Sequence, residues 1–130
     1  MNGRVKYVLD STALIALVSS EPGCENVAAI LDGSTISAVN LTETIHKLVQ
    51  RGSAPQIVER LLGELQLNVT EWTETLSYRS AEFAMFGRSH GLSLGDRACL
   101  TLAKQLRATA VTSDHAWRPV SKTVSVQFFR

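Results

Sequence analysis

An α/β layered fold, with a mainly parallel five-stranded sheet flanked by helices, is what this sequence predicts, on three observations. Short β-prone runs alternate with longer stretches whose apolar residues recur at helical spacing, as in strand–helix–strand units. Two of those runs, the first and the fourth, stop at an aspartate, Asp10 and Asp114, where a strand gives way to a turn. The 130 residues, 45% of them hydrophobic, suit one compact domain, residues 1–130, with a real core.

Each element has a local reason. Tyr7, Val8 and Leu9 form a brief apolar run, and Ser11-Thr12 before Ala13 to Val18 starts a helix, so Asp10 sits at the tip of a strand-to-helix turn. Glu21-Pro22-Gly23 breaks that helix, Asn26 to Leu31 reads as a second short one, and Asp32-Gly33 turns the chain. Thr35 to Val39 is the next strand. Asn40 is expected to cap a helix whose positions Leu41, Ile45, Leu48 and Val49 follow helical spacing as far as Gly52, with Glu43 one turn inside. Pro55 starts another, with Ile57, Val58, Leu61, Leu62 and Leu65 on its apolar face, and Leu67 to Val69 makes the third strand. Thr73 to Ser89 is expected as one helix, closed by His90-Gly91, with Leu76, Phe83 and Ala84 facing inward. Leu94 to Arg107 is amphipathic through Cys99, Leu102, Ala103 and Leu106, and places Asp96 in its first turn. Ala110 to Ser113 is the fourth strand and Val124 to Phe128 the last.

Composition narrows the function. A formal charge of +1 excludes a strongly basic nucleic-acid coat. If four carboxylates gather in one pocket, however, the rest of the surface carries roughly +5, enough to guide a polyanion. Apolar stretches are interrupted well before bilayer length and the N-terminus lacks a signal-like apolar region, so a cytoplasmic protein is expected. Two cysteines make no disulfide framework; Cys99 falls on an apolar helix face and Cys24 follows a Pro-Gly turn, and neither has a catalytic setting.

Every acid has a bland explanation. Ser93 with Asp96 fits a capping box, Asn40 with Glu43 nearly does, Asp10 can accept hydrogen bonds from its own turn, and Asp114 can make an Asx-turn. Their combination says more. Asp10 and Asp114 both end predicted strands, and ligands of open parallel sheets bind beyond those carboxyl ends, where strand order reverses. Glu43 and Asp96 begin helices that follow or face the same edge. Four like charges gathered there shift toward protonation unless a cation sits among them. Hard oxygen donors select Mg2+ or Mn2+, the ions that activate water for in-line attack at phosphorus.

Four segments carry a resemblance to a known family: LDSTALIAL from Leu9, ISAVNLTETIHKL from Ile36, LSLGDRACLTLA from Leu92 and AVTSDHAW from Ala110. In order and spacing they resemble the PIN-domain ribonucleases, most closely the VapC-type toxins of toxin-antitoxin pairs, over nearly the whole chain. The resemblance implies a PIN-like three-layer sandwich with adjacent first and fourth strands. It makes Asp10, Glu43, Asp96 and Asp114 the catalytic and metal-binding quartet, with Ser11 or Thr12 and Thr112 as polar neighbours. It further implies a Mg2+- or Mn2+-dependent endoribonuclease that acts as a toxin, an antitoxin protein partner, an RNA substrate and a homodimer.

Other residues support packing or surface roles. His46, His90 and His115 match no tight zinc spacing, and His115 reads as an exposed turn residue. Arg97 and Arg118 flank the acids, as backbone contacts or as plain surface. Trp117 is expected to close the core, and Phe83, Met85 and Phe86 to pack, with a subunit contact as the alternative. Two competing functions remain. A phospho-acceptor receiver domain needs an acidic pair after the first strand and an Asp ending the third; here Asp10 is followed by Ser11 and the third strand leads into Val69-Thr70-Glu71, which sets it aside. A PIN-like scaffold that binds RNA or a protein partner without cleavage is opposed by the intact acids.

Overall fold

The computed structural model describes residues 4–130, apart from the side chains of residues 87–90. The chain's first three residues and the side chain of His90, set aside above as a metal ligand, lie outside the described residues. Among the described residues five strands form one sheet: β1 (Tyr7–Leu9), β2 (Ser34–Ser37), β3 (Val69–Thr70), β4 (Thr109–Thr112) and β5 (Val126–Phe128). Their order is β3-β2-β1-β4-β5 and every neighbouring pair is parallel. The first and fourth strands are therefore adjacent, Leu9 opposite Val111. The chain leaves β1 toward β2 on one side and later returns as β4 on the other, which puts the switch point at the carboxyl end of β1.

Among the described residues seven helices cover the sheet: α1 (Ser11–Ser19), α2 (Cys24–Ile30), α3 (Ala38–Gln50), α4 (Pro55–Glu64), α5 (Glu74–Arg79), α6 (Ala81–His90) and α7 (Leu94–Leu106). The period-two alternation of the central strands divides them between two faces. Val8 and Ala110 point into a cluster with Leu76, Phe83, Leu100, Leu102 and Trp117, from α5, α6, α7 and the 3₁₀ segment His115–Lys122. Leu9, Val111 and Ile36 point the other way, against Leu14, Val27, Leu48, Val58 and Leu62 from α1 to α4. The result is a three-layer α/β/α sandwich. Because both faces are covered, the central strands are apolar on both sides, the mark of a buried parallel sheet. No single helix among the described residues is long and apolar enough to cross a membrane.

Several expectations need correction. The second strand stops at Ser37, and Ser37, not Asn40, caps α3: its side chain accepts from the Asn40 backbone N–H. Asn40 lies inside the helix and is fully buried. The stretch from Thr73 is two helices broken at Ser80. Ser77 and Ser80 each donate a side-chain hydrogen bond to a nearby helix carbonyl, of Thr73 and of Ser77, the local competition that loosens a helix. Leu76 and Phe83 are buried as expected, whereas Ala84 faces solvent. Phe83 belongs to this chain's own core, with Phe86 packed against it, so of that trio Met85 is the exposed one. The last strand begins at Val126, and Val124 is a core residue ahead of it.

Candidate active site

The site is built outward from Asp10. As N-cap of α1 it has extended backbone, and the residue is 2% exposed because α1 packs down on the sheet at once. Oδ1 accepts from the Thr12 hydroxyl at 2.6 Å and from the Ala13 backbone N–H at 3.1 Å, while Oδ2 accepts from the Thr112 hydroxyl at 2.6 Å. Both threonine hydroxyls also accept from the segment after β4, Thr12 from Ser113 N–H and Thr112 from Asp114 N–H. Two hydroxyls thus clamp the ends of β1 and β4 together and fix the carboxylate between them. Ser11 is buried as the first residue of α1. Burial pushes the Asp10 carboxyl from its ordinary 3.8 up to about 6; the hydrogen bonds from Thr112, Thr12 and Ala13 oppose the shift, and the charge of Asp96 adds to it.

Asp96 stands on the other layer, in the first turn of α7. The expected capping box is present: Asp96 N–H donates to Ser93 Oγ at 3.1 Å, and Ser93 N–H donates to Asp96 Oδ2 at 2.9 Å. This carboxyl too is raised, by burial first and then by the charges of Asp114 and Glu43, against the lowering effect of its bonds with Ser93. Its capping role and its place among the acids coexist.

Glu43 reaches the same region from α3. A Cβ built on Gly95 would stand 2.6 Å and 2.7 Å from the two Glu43 carboxylate oxygens, so the side chain lies directly over the first turn of α7. Asn40, one turn earlier on α3, donates from Nδ2 to the Gly95 carbonyl at 2.9 Å and accepts from the Ser37 hydroxyl at 2.7 Å. This buried amide ties the helix of Glu43 to the helix of Asp96. Sequence reasoning missed both Asn40 and Gly95. The spacing of three between Asn40 and Glu43, which sets them on one helix face, was the available signal.

Asp114 is exposed just beyond β4 and caps the 3₁₀ segment, its Oδ1 accepting from Ala116 N–H at 3.0 Å. Beneath the acids lies Cys99, buried with its Sγ 3.7 Å from the Val8 carbonyl oxygen. Burial, together with the charges of Asp10, Asp96 and Glu43, holds its thiol well above the usual range, which leaves it inert at neutral pH. Arg97 is occupied by the Leu92 carbonyl, at 3.2 Å and 2.9 Å. His115 is exposed and stacks on Phe128, and Trp117 is wholly buried.

Asp10 and Asp114 therefore follow the carboxyl ends of β1 and β4, and Asp96 lies within electrostatic reach of Asp10, Asp114 and Glu43. The donor set is all carboxylate oxygen, and Lys47 is paired with one member of it, its Nζ 3.9 Å from Glu43 Oε2. Such a set suits a hard divalent ion. As the side chains stand, no three acidic, histidine or cysteine groups among the described residues are already drawn together around one position.

The architecture is shared with solved structures of low sequence identity. A DNA-bound VapBC of Salmonella typhimurium is 16% identical, covers 97% of this chain and 99% of that one, and superposes with a TM-score of 0.75. VapBC-1 of nontypeable Haemophilus influenzae is 20% identical, with coverages of 96% and 98% and a TM-score of 0.73. VapBC-5 of Mycobacterium tuberculosis, a member of the VapBC family of toxin-antitoxin systems, is 18% identical, with coverages of 97% and 98% and a TM-score of 0.63. Comparison with curated proteins by sequence gives no significant match. The sequence model of the PIN domain matches residues 7–122, a span that holds all four acids and most of the chain, and the chain accordingly belongs to the PIN-domain family.

Proposed function

We propose that this chain is a divalent-metal-dependent endoribonuclease acting as the toxin of a VapBC-type pair, and that a cognate antitoxin protein holds it inactive. The observation that carries the reading is the gathering of Asp10, Glu43, Asp96 and Asp114 over one sheet edge, within a fold whose family members are generally nucleases. Support for the toxin role comes from the solved relatives, several of which are toxin-antitoxin complexes. A homodimer and a cytoplasmic setting belong to the same proposal.

In this reading Asp10 and Asp96 are the principal ligands of Mg2+ or Mn2+, and Glu43 and Asp114 help to hold the ion, its waters or a second ion. When bound, the ion supplies an activated water and offsets charge at the scissile phosphate. The chain's own residues do the positioning. Thr12 and Thr112 fix the plane of the Asp10 carboxylate, the Ser93 cap fixes Asp96, and Asn40 keeps α3 and with it Glu43 against α7. The burial that raises Asp10 makes its charge costly in the empty protein, so an ion that neutralises it is bound more tightly for it.

The competing reading, a scaffold that binds without cutting, draws on the fact that no three acidic, histidine or cysteine groups among the described residues converge on one position. A cleavage assay separates the two. With Mg2+ or Mn2+ the purified chain should cut RNA internally, and chelation should abolish the cut. Asp10→Asn or Asp96→Asn should lower the rate by about 100-fold or more, the upper end of what metal-site partners cost, while thermal melts show a folded protein. Undiminished, chelator-resistant cleavage by Asp96→Asn would sink the mechanism.

A further inference from the structure

We propose that the RNA strand leaves the acid cluster along the groove between α3 and the first turn of α7, with Lys47 holding a backbone phosphate and Leu94 supporting a base. The proposal rests on the reading of this chain as an RNA endonuclease and adds the path of the substrate beside the acids.

The groove has a volume of about 340 Å3. Val39, Thr42, His46, Lys47 and Gln50 of α3 form one wall, Leu94 and Gly95 of α7 the other, and Glu43 stands among them. Positions 43, 46, 47 and 50 share one helix face, so the wall runs outward from the acid in steps of a helical turn, roughly 5.4 Å. A polyanion approaching four carboxylates is repelled unless cations stand close by to receive its phosphates. Lys47 is the cation next to Glu43. Its ammonium is 3.9 Å from Glu43 Oε2 and its side chain is 43% exposed. A pair this long and this wet is worth little, so the ammonium can turn to a phosphate with little loss.

The opposite wall is apolar. Leu94 is 70% exposed, two residues before Asp96, and its own core makes no use of the side chain. Lys47 on one side and Leu94 on the other offer a strand a cation for a phosphate and an apolar surface for a base, the two kinds of contact that single-stranded nucleic acid combines. Gln50 and His46, both exposed, extend the polar wall beyond Lys47.

The test measures binding of a fluorescein-labelled single-stranded RNA across a salt series, in the Asp96→Asn background to prevent cutting, together with steady-state cleavage in the otherwise unmodified chain. Lys47→Gln should raise Kd by about fivefold at moderate salt and lower the magnitude of the salt slope by about 0.7, the signature of one lost phosphate contact on a single strand. Lys47→Arg should restore both. Leu94→Ala should raise Kd several-fold with the salt slope unchanged. In cleavage, Lys47→Gln and Leu94→Ala should raise KM and leave kcat within about twofold. Lys104→Gln, which removes a cation paired with Glu82, is the control and should behave as the parent.

Parent-like Kd and slope in Lys47→Gln overturn the proposal, and so does a loss confined to kcat, which would assign Lys47 to holding Glu43. A protein segment as the groove's occupant would show as weakened antitoxin binding with RNA binding intact. If the chain binds RNA without cutting it, the nuclease reading fails alone, and the Lys47 salt slope still decides the path.

Discussion

Asp10 concentrates the site's energetics in one side chain. It is buried, holds three hydrogen bonds, and still titrates near 6 because desolvation outweighs all three. Its folded value lies above its unfolded one, so the proton binds the folded chain more tightly. The stability this group contributes is complete below about pH 4, is lost as pH rises toward 6, and beyond that the ionised group costs about 3 kcal/mol. Asn cannot ionise. In metal-free buffer, the stability of Asp10→Asn relative to the parent should therefore increase between pH 4 and 6 and level off above it, whatever fixed penalty the amide incurs against the two threonines. Denaturant melts at several pH values read this directly, and a difference that stays flat across the window would contradict the assigned shift. Asp96 titrates in both proteins, and because its charge is the smallest of the causes that raise Asp10, its coupling is contained in the difference that the melts read.

At the scale of elements, the contact between α3 and α7 decides where Glu43 sits. Gly95 at the second position of α7 leaves room for the Glu43 carboxylate, and Asn40 fastens its carbonyl to α3. Alanine there would meet the far end of a flexible side chain, so the backbone can stay and the carboxylate must swing away. In a helix the same change is worth up to about 1 kcal/mol in stability. Gly95→Ala is thus expected to melt at or slightly above the parent temperature while cleaving about 10- to 100-fold more slowly, the cost of a misplaced catalytic group. A stable Gly95→Ala protein with full activity would show that the position of Glu43 is immaterial.

The whole molecule stacks two helical layers on a short parallel sheet, and the acids come from both. Asp10 belongs to the sheet's own edge, Glu43 to the α1–α4 layer, Asp96 to the α5–α7 layer and Asp114 to the turn after β4. No one layer suffices, so local unfolding of either would disassemble the proposed centre. The homodimer proposed above needs a face that this packing leaves exposed. Tyr78 on α5 and Met85 on α6, at 75% and 77% exposure, offer apolar side chains there, whereas Phe83 is already spent inside. Light scattering of the purified chain at micromolar concentration should give twice the chain mass. A monomer mass would remove the dimer from the proposal without touching the site.

The sequence by itself determined the elements and their local chemistry. The apolar run before Asp10, the Ser93–Asp96 box and the short β-prone run from Ala110 to Ser113 specify a strand end, a helix start and a further strand, because each signal is carried by residues a few positions apart. The family resemblance supplied the pairing of the first and fourth strands, which those local signals leave open. The tertiary structure decided what depends on residues far apart in the chain. Asn40 reads as a cap until Gly95, fifty-five residues on, is seen to take its amide, and Gly95 reads as an ordinary early-helix glycine until Glu43 lies across it. Ser80 breaks a helix whose periodicity continues on both sides, and Leu76 and Phe83 still reach the same core. The raised carboxyl of Asp10 is likewise a tertiary effect: its cause is the removal of water by α1 and β4 together, which no residue's identity announces.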